Sequence, residues 1–291
     1  MKQQSFIYAT ILLAAVFFSS CDKKFEVFED TVDGNDLPTN VESVTSEALP
    51  GQILLKWDVP LDSNYYYLQM SYYDHLTEKK VFEVISVYAD SILIDNTRAK
   101  YGDYEFAFQA FNKNGQGSGK INVVAKSGIA PATETITATK IELEASQLST
   151  NNQEPKEGPI ANLIDGNSSS FFHTRWSSPQ IPMPQYIQID LNEPIDDFQF
   201  YLVNREWSQQ APKIVEIQIS NDGVNWETVK TISSGLPSAG GADYTSEIFR
   251  PGRTFSHFRY NCLETFNNRN YFNLAEFVLY DVDIDTYDPE L

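Results

Sequence analysis

Between Leu163 and Ser178 the chain reads LIDGNSSSFFHTRWSS, and two kinds of chemistry are compressed there. Asp165, Gly166 and Asn167 set a carboxylate and an amide oxygen around a permissive turn residue, and Ser170 adds a hydroxyl shortly after. Hard oxygen donors at this spacing suit Ca²⁺, which takes about six to eight of them. The longer acidic pattern of an EF-hand is absent. The alternative is a metal-free turn in which Asp165 caps local amides. His173 and Trp176 follow, in a chain with only three histidines and four tryptophans. A planar polar side chain can read sugar hydroxyls, and an aromatic face can cover a sugar's apolar C–H patch. The competing readings are a satisfied loop histidine and a core tryptophan.

Other chemistries find no motif. There is no His-Glu-x-x-His for zinc and no Gly-x-Ser-x-Gly nucleophile elbow. His75, His173 and His257 lie in unrelated contexts. Glycoside hydrolysis needs two carboxylates flanking a cleft, and among forty acids no motif singles out a pair. The expectation is a protein that is not an enzyme. GQGSGK, Gly115 to Lys120, lacks phosphate-loop spacing and reads as a connection between strands. A formal charge of −19 offers no basic surface for nucleic acid or anionic lipid.

The elements that must position these residues are strands. At 291 residues, with 42% hydrophobic and 13% aromatic residues, the chain has material for two cores. GQILLKWDVP alternates Ile53, Leu55 and Trp57 and stops at Pro60; NYYYLQMSYYD, KKVFEVISVY, DSILIDN and YEFAFQAF follow. A second series comprises KIELEAS, YIQIDL, FQFYLVN, KIVEIQIS, NWETVKTI, FSHFRYNCL and NLAEFVLYD, with turns at Asn221–Gly223 and Pro251–Gly252. No amphipathic helix pattern stands out, so the class is all-β. Cys262, in an alternating stretch, reads as a buried strand residue, and two cysteines exclude a disulfide framework.

The N-terminus carries Lys2, the apolar run Phe6–Phe18 and then Ser19-Ser20-Cys21. Small residues before a cysteine resemble a bacterial lipoprotein signal, with Phe18 where Leu is usual. This implies a signal peptide over 1–20, lipidation at Cys21 and an acidic tether over 21–36. The alternative is an ordinary cleaved signal. Attachment to a membrane would be through the lipid alone.

Residues 37–126 resemble a fibronectin type III module, carried by LLKWDVP and by the late Tyr-x-Phe-x-Phe-x-Ala-x-Asn-x-x-Gly from Tyr104 to Gly115. This implies a seven-strand sandwich with Trp57 in the core and Tyr104 as a corner tyrosine. Residues 127–137 read as a linker. Across 138–283, IANLIDGNSSSFFHTRWSS, PQYIQIDL, PKIVEIQISNDGVNWETV and FRYNCLETFNNRNYFNLAEFVLY occur in order. This resembles the coagulation factor V/VIII type C, or discoidin, domain, and its bacterial form resembles carbohydrate-binding module family 32. Residues 284–291 are a tail. The architecture expected is a fibronectin type III-like β-sandwich followed by a discoidin-type β jelly-roll sandwich.

The resemblance implies a structural Ca²⁺ held by Asp165, Asn167, Ser170, the carbonyl of Asn162 and Glu276 on the last strand, with Ser170 where the family usually has Thr. It implies a carbohydrate site of His173, Trp176 and Arg205, closed by Phe266 or Tyr271. Trp207 is a further aromatic candidate, with core packing as its alternative, and Trp226 is a packing residue. Arg205 alternatively pairs with a surface acid. The family's Asn after the Arg is unmatched: Pro212 occupies that spacing, and Gln209 or Gln210 would substitute. The function implied is capture of a glycan, with a terminal galactose-type sugar as the ligand. The setting implied is a cell-surface lipoprotein of the outer membrane serving polysaccharide utilisation, beside a transporter or hydrolase partner. The alternative is a protein–protein adhesion or scaffold module that positions partner enzymes.

Overall fold

The computed structural model describes residues 37–61, 64–207 and 210–291. The expected signal peptide, the expected lipidation site Cys21 and the expected tether lie outside the described residues. No helix among those described is long and apolar enough to cross a membrane. The described residues form two compact units, one of those up to residue 133 together with 287–291, the other of those from 134 to 286.

The first unit contains β1 (Glu42–Leu49), β2 (Gln52–Asp58), β3 (Tyr67–Asp74), β4 (Lys79–Ser86), β5 (Ser91–Ile94), β6 (Asp103–Phe111) and β7 (Ile121–Lys126). They form one sheet in the order β1-β2-β5 and another in the order β4-β3-β6-β7. Alternation explains the inward faces: Ile53, Leu55 and Trp57 are buried on β2, and Tyr104, Phe106, Phe108 and Ala110 on β6. Trp57 meets Phe108 with ring centroids 5.5 Å apart, and its indole N–H donates to the Ala89 carbonyl at 2.9 Å. The Tyr104 hydroxyl accepts from Arg98 N at 2.8 Å and donates to Arg98 O at 3.2 Å, a tyrosine corner. The Gly115–Lys120 stretch joins β6 to β7. There the Asn112 amide oxygen accepts the backbone N–H groups of Asn114 and Gln116.

The second unit contains β8 (Thr133–Lys140), β9 (Leu148–Thr150), β10 (Phe172–His173), β11 (Gln185–Ile195), β12 (Phe198–Val203), β13 (Pro212–Ser220), β14 (Glu227–Ile232), β15 (Asp243–Thr245), β16 (Phe255–Thr265), β17 (Asn273–Leu274) and β18 (Glu276–Tyr287), except for the end residues Thr133 of β8 and Tyr287 of β18, which belong to the first unit. A five-stranded sheet runs β14-β13-β16-β11-β9, a four-stranded sheet β15-β12-β18-β8, and β10 pairs with β17 alone. Phe200 of β12 packs on Phe277, Tyr260 and Phe249 at 5.5, 5.7 and 6.1 Å. Cys262 is fully buried on β16, and burial pushes its thiol well up.

Three element assignments differ from the sequence reading, the first being the expected tail 284–291, whose residues 284–287 are the end of β18. Part of the expected linker is strand, because β8 begins at Thr133. All eight of its residues are exposed, so no apolar face marks it. KIELEAS, expected as a strand, is extended chain leading into a 3₁₀ turn at Ala145–Gln147. Its Ile141 and Leu143 still pack against the core, and Ile141 N donates to Leu279 O at 2.9 Å.

Candidate functional site

The 3₁₀ turn Ile160–Ile164, anchored by buried Leu163, delivers Asp165 to a tight turn in which Gly166 has φ +72°. Asp165 Oδ1 accepts from Asn167 N at 2.9 Å. The Ser170 hydroxyl lies 2.7 Å from Asp165 Oδ2 and 2.8 Å from Asn167 O. Asn162 secures the far end, its side-chain amide donating to Phe171 O at 2.9 Å. Glu276, the first residue of β18, reaches this turn from the opposite strand. It is buried, and its Oε1 has no hydrogen-bond partner. Its pKa is raised to about 7, first by burial and then by the Asp165 charge and a hydrogen bond shared with that carboxyl. Asp165 is lowered, chiefly by the Ser170 hydroxyl. Two facing carboxyls, an unmet buried oxygen, a hydroxyl and nearby amide oxygens fit a hard divalent cation. Among the described residues no group of three or more His, Cys, Asp or Glu gathers, so the remaining donors at such a site would be neutral oxygens.

The second half of the stretch is placed by the β10–β17 pair, which sets His173 opposite Asn273. His173 is 4% exposed. Its Nδ1 lies 2.6 Å from Thr174 O and its Nε2 3.2 Å from Asn273 Nδ2. That makes Nδ1 the protonated nitrogen and Nε2 the acceptor. Burial lowers its pKa, the Thr174 carbonyl opposes this, and the Arg205 charge adds to the lowering, so the ring is neutral. The sequence places His173 at the ligand; in the structure both ring nitrogens are taken by the protein, and the ring supports Asn273 and Tyr271. Gly158 lies so close that a Cβ there would be 2.8 Å from His173 N, at φ +62°. A side chain is therefore excluded at that position.

Arg205 follows β12. Its Cζ lies 3.4 Å from the Phe171 ring centroid, a stacked cation–π contact. Among the described residues no carboxylate pairs with it. The loop is propped from behind by buried Asn204, whose amide donates to Pro237 O and Ala239 O at 2.8 and 3.0 Å. A Cβ at Gly240 would fall 2.0 Å from Glu206 O, so only glycine allows this approach. Phe171 in turn meets His173 at 6.3 Å, and Tyr271 meets His173 at 5.6 Å. His173, Arg205 and Tyr271 thus share one cluster with Phe171 and Asn273. Gln210 reaches its edge, 3.5 Å from Asn273 Nδ2. Gln209 is outside the described residues.

The remaining aromatic candidates are on the surface. Trp207 is 85% exposed, Trp176 39% and Phe266 37%. Trp176 donates its indole N–H to Glu157 at 2.9 Å, with Lys156 over its ring. Phe266 is held through its backbone N–H to Ala211 O at 3.1 Å. Trp226 packs its ring against the Arg259 guanidinium at 3.7 Å.

Residues that the sequence did not single out support the site. Glu154 is buried, and its carboxylate accepts from Lys156 N, Trp176 N, Ser177 N and the Ser177 hydroxyl at 3.0–3.2 Å. Burial works to raise its pKa, but these bonds outweigh it and hold the carboxyl below its ordinary value. Glu154 fixes the backbone that presents Trp176. Phe171 stands between Ser170 and His173, and Asn273 two residues after Tyr271. Adjacency was their only signal.

Residues 144–277 match the family model of the F5/8 type C domain. The match takes in Glu154, the Asp165–Ser170 turn, His173, Arg205, Asn273 and Glu276. Among solved structures, the family 32 carbohydrate-binding module of Clostridium perfringens NanJ, in complex with galactose, is 20% identical over 50% of this chain and 100% of that one, with a TM-score of 0.41. The C-terminal domain of a chitobiase from Bacteroides fragilis is 24% identical over 51% of this chain and 99% of that one, with a TM-score of 0.41. A SusE-like protein is 13% identical over 82% of this chain and 96% of that one, with a TM-score of 0.38. No curated protein matches the chain.

Proposed function

We propose that this protein captures carbohydrate through the loops of its F5/8 type C domain and does not transform it. The observation that carries this reading is Arg205, its Cζ 3.4 Å from the Phe171 ring centroid, without a paired carboxylate among the described residues and two residues before the exposed Trp207 in the chain. A held fork of donors and an open indole face on the same loop are what recognition of a hydroxylated ring requires. Tyr271, Trp176 and Phe266 contribute further aromatic surface, and His173 acts by positioning Asn273. A terminal galactose-type sugar is the ligand class proposed. Asp165, Asn167, Ser170, Glu276 and the Asn162 carbonyl would hold Ca²⁺, whose charge would relieve the two carboxyls and tie the turn to β18.

In the same reading the first unit is a fibronectin type III-like spacer, supported by its sheets of three and four strands and its tyrosine corner. Cys21 carries lipid, and the protein sits on the outer membrane, serving a polysaccharide-utilisation transporter or hydrolase. A glycan array run with the protein and its Arg205→Ala and His173→Ala variants tests this. Binding to a defined terminal sugar is expected, lost with Arg205→Ala and weakened with His173→Ala, while both variants keep their unfolding midpoints. Absence of binding to every glycan with Ca²⁺ present overturns it.

A second reading, a protein-binding scaffold, draws on one observation: Phe82 and Val84 of the edge strand β4 are 58% and 68% exposed. Loss of a co-purifying protein in Phe82→Asp would favour it.

A further inference from the structure

We infer that a cleft in the first unit is a second binding site, for one or two units of an uncharged carbohydrate. It does not rest on the reading of the F5/8 type C domain. The cleft has a volume of about 420 Å³, within the roughly 300–1,000 Å³ of small-molecule sites. It is lined by Gln52, Asp95, Asn96, Arg98, Pro131 and Tyr287 among others, all of the first unit.

The lining is built and not a chance gap between loops. The β1–β2 turn is tied in place: Gly51 N donates to Gly128 O at 3.2 Å, and Gly51 O accepts from Thr97 N at 2.9 Å. Gly51 has φ +67°, and a Cβ there would lie 3.1 Å from Ala130 Cβ. The backbone of Arg98 is gripped on both sides by the Tyr104 hydroxyl. The chain's last residues complete the wall. The Glu290 carboxylate accepts from Ala99 N, Lys100 N and Ala130 N at 3.1, 2.8 and 2.7 Å, and this holds Tyr287 and Pro289 at the cleft. Such preorganisation reduces the cost of binding.

The chemistry of the lining selects the ligand. Asp95 presents a carboxylate, with Gln52 Nε2 donating to it at 2.5 Å. Arg98 presents a guanidinium that donates through Nη1 to Thr97 O at 2.8 Å. An anion would meet Asp95, and a cation would meet Arg98. Hydroxyl groups donate and accept, so a polyol satisfies both kinds of partner together with the amides of Gln52 and Asn96. Tyr287, 64% exposed, supplies the aromatic face, and prolines 50, 131 and 289 supply apolar contact.

The test is a ¹H–¹⁵N titration of the labelled protein with maltotriose, cellotriose, mannotriose and galactotriose, with trigalacturonate as the charged comparison. At least one neutral probe is expected to move the side-chain signals of Gln52, Asn96 and Arg98. Tyr287→Ala should weaken that binding about tenfold or more, the loss of one stacked face. Tyr287→Phe should preserve it, and Arg205→Ala should leave these shifts unchanged. The inference is overturned if no neutral probe moves those signals, if Tyr287→Ala has no effect, if Arg205→Ala removes the shifts, or if trigalacturonate binds more tightly than any neutral probe.

Discussion

Glu154 and Glu276 are the same residue type, and both are buried in the second unit at 2% and 8% exposure. Their states are opposite. Glu154 faces four donors, and its carboxyl is held below its ordinary value. Glu276 faces another carboxyl, keeps one oxygen without a partner and is raised to about 7. Burial alone therefore does not decide what a carboxylate is for. A carboxylate surrounded by donors is complete and fixes backbone, whereas one set against a like charge would be relieved by a bound cation.

The largest effect that could break this contrast is on stability. Glu154→Ala strands the Ser177 N–H and hydroxyl in a buried site and the N–H groups of Lys156 and Trp176 at its part-buried edge. Leaving one buried group unsatisfied costs about 1–3 kcal/mol, so a loss of at least about 3 kcal/mol is expected by urea unfolding. Glu276→Gln should be neutral or stabilising in metal-free buffer, because it removes the repulsion with Asp165. A comparable loss in both variants would show that the two carboxylates are equivalent.

Calcium sharpens the contrast next. A ligand at a hundredfold excess over its Kd stabilises by about 2.7 kcal/mol, several degrees in Tm for a domain of this size. That rise is expected for the wild type and absent in Glu276→Gln and Asp165→Asn. An unchanged Tm in wild-type protein with Ca²⁺ would remove the ion from the account.

The pH dependence should then carry opposite signs. The folded pKa of Glu276, about 7, is above its ordinary 4.5. The stability it contributes is full below 4.5 and is lost as pH rises through 7 in metal-free protein. Glu154 is depressed, so its contribution is present above 4.5 and lost as pH falls through its folded value. Unfolding from pH 4 to 8 in Glu276→Gln should lack the decline near neutrality, and the wild type should regain the lost stability with Ca²⁺.

The two carboxylates also differ in how well the sequence exposes them. Asp165-Gly166-Asn167 is a local signature, since its hydrogen bonds close within five residues, and it drew attention to Glu276 through the resemblance. Glu154 has no such signature: its partners at Trp176 and Ser177 are more than twenty residues away, and Gln-Glu-Pro announces nothing. The same division runs through the fold. The strands β2, β6, β11 and β13 were legible because alternate residues are buried. β8 and β1 were not, because β8 is exposed throughout and β1 nearly so. At the site, His173 and Arg205 were found as residue types, but the burial of the histidine follows from the β10–β17 pairing and from Gly158, which only the folded chain brings together.

The smallest expected effect separates the hydroxyl of Ser170 from the carboxyls it serves. Ser170 is half-buried and bonds Asp165 without bearing charge. Ser170→Ala removes one neutral donor that lowers the Asp165 pKa. A single such bond is worth about 0.5–1.5 kcal/mol, so calcium affinity by calorimetry should fall about two- to tenfold. The Glu154 loop lies outside that network, so the urea midpoint in metal-free buffer should move little. Ser170→Thr restores the hydroxyl and should restore affinity. If Ser170→Ala abolishes binding as completely as Glu276→Gln does, the site depends on an ordered turn more than on charge, and the contrast between the two glutamates would have to be redrawn in terms of turn geometry.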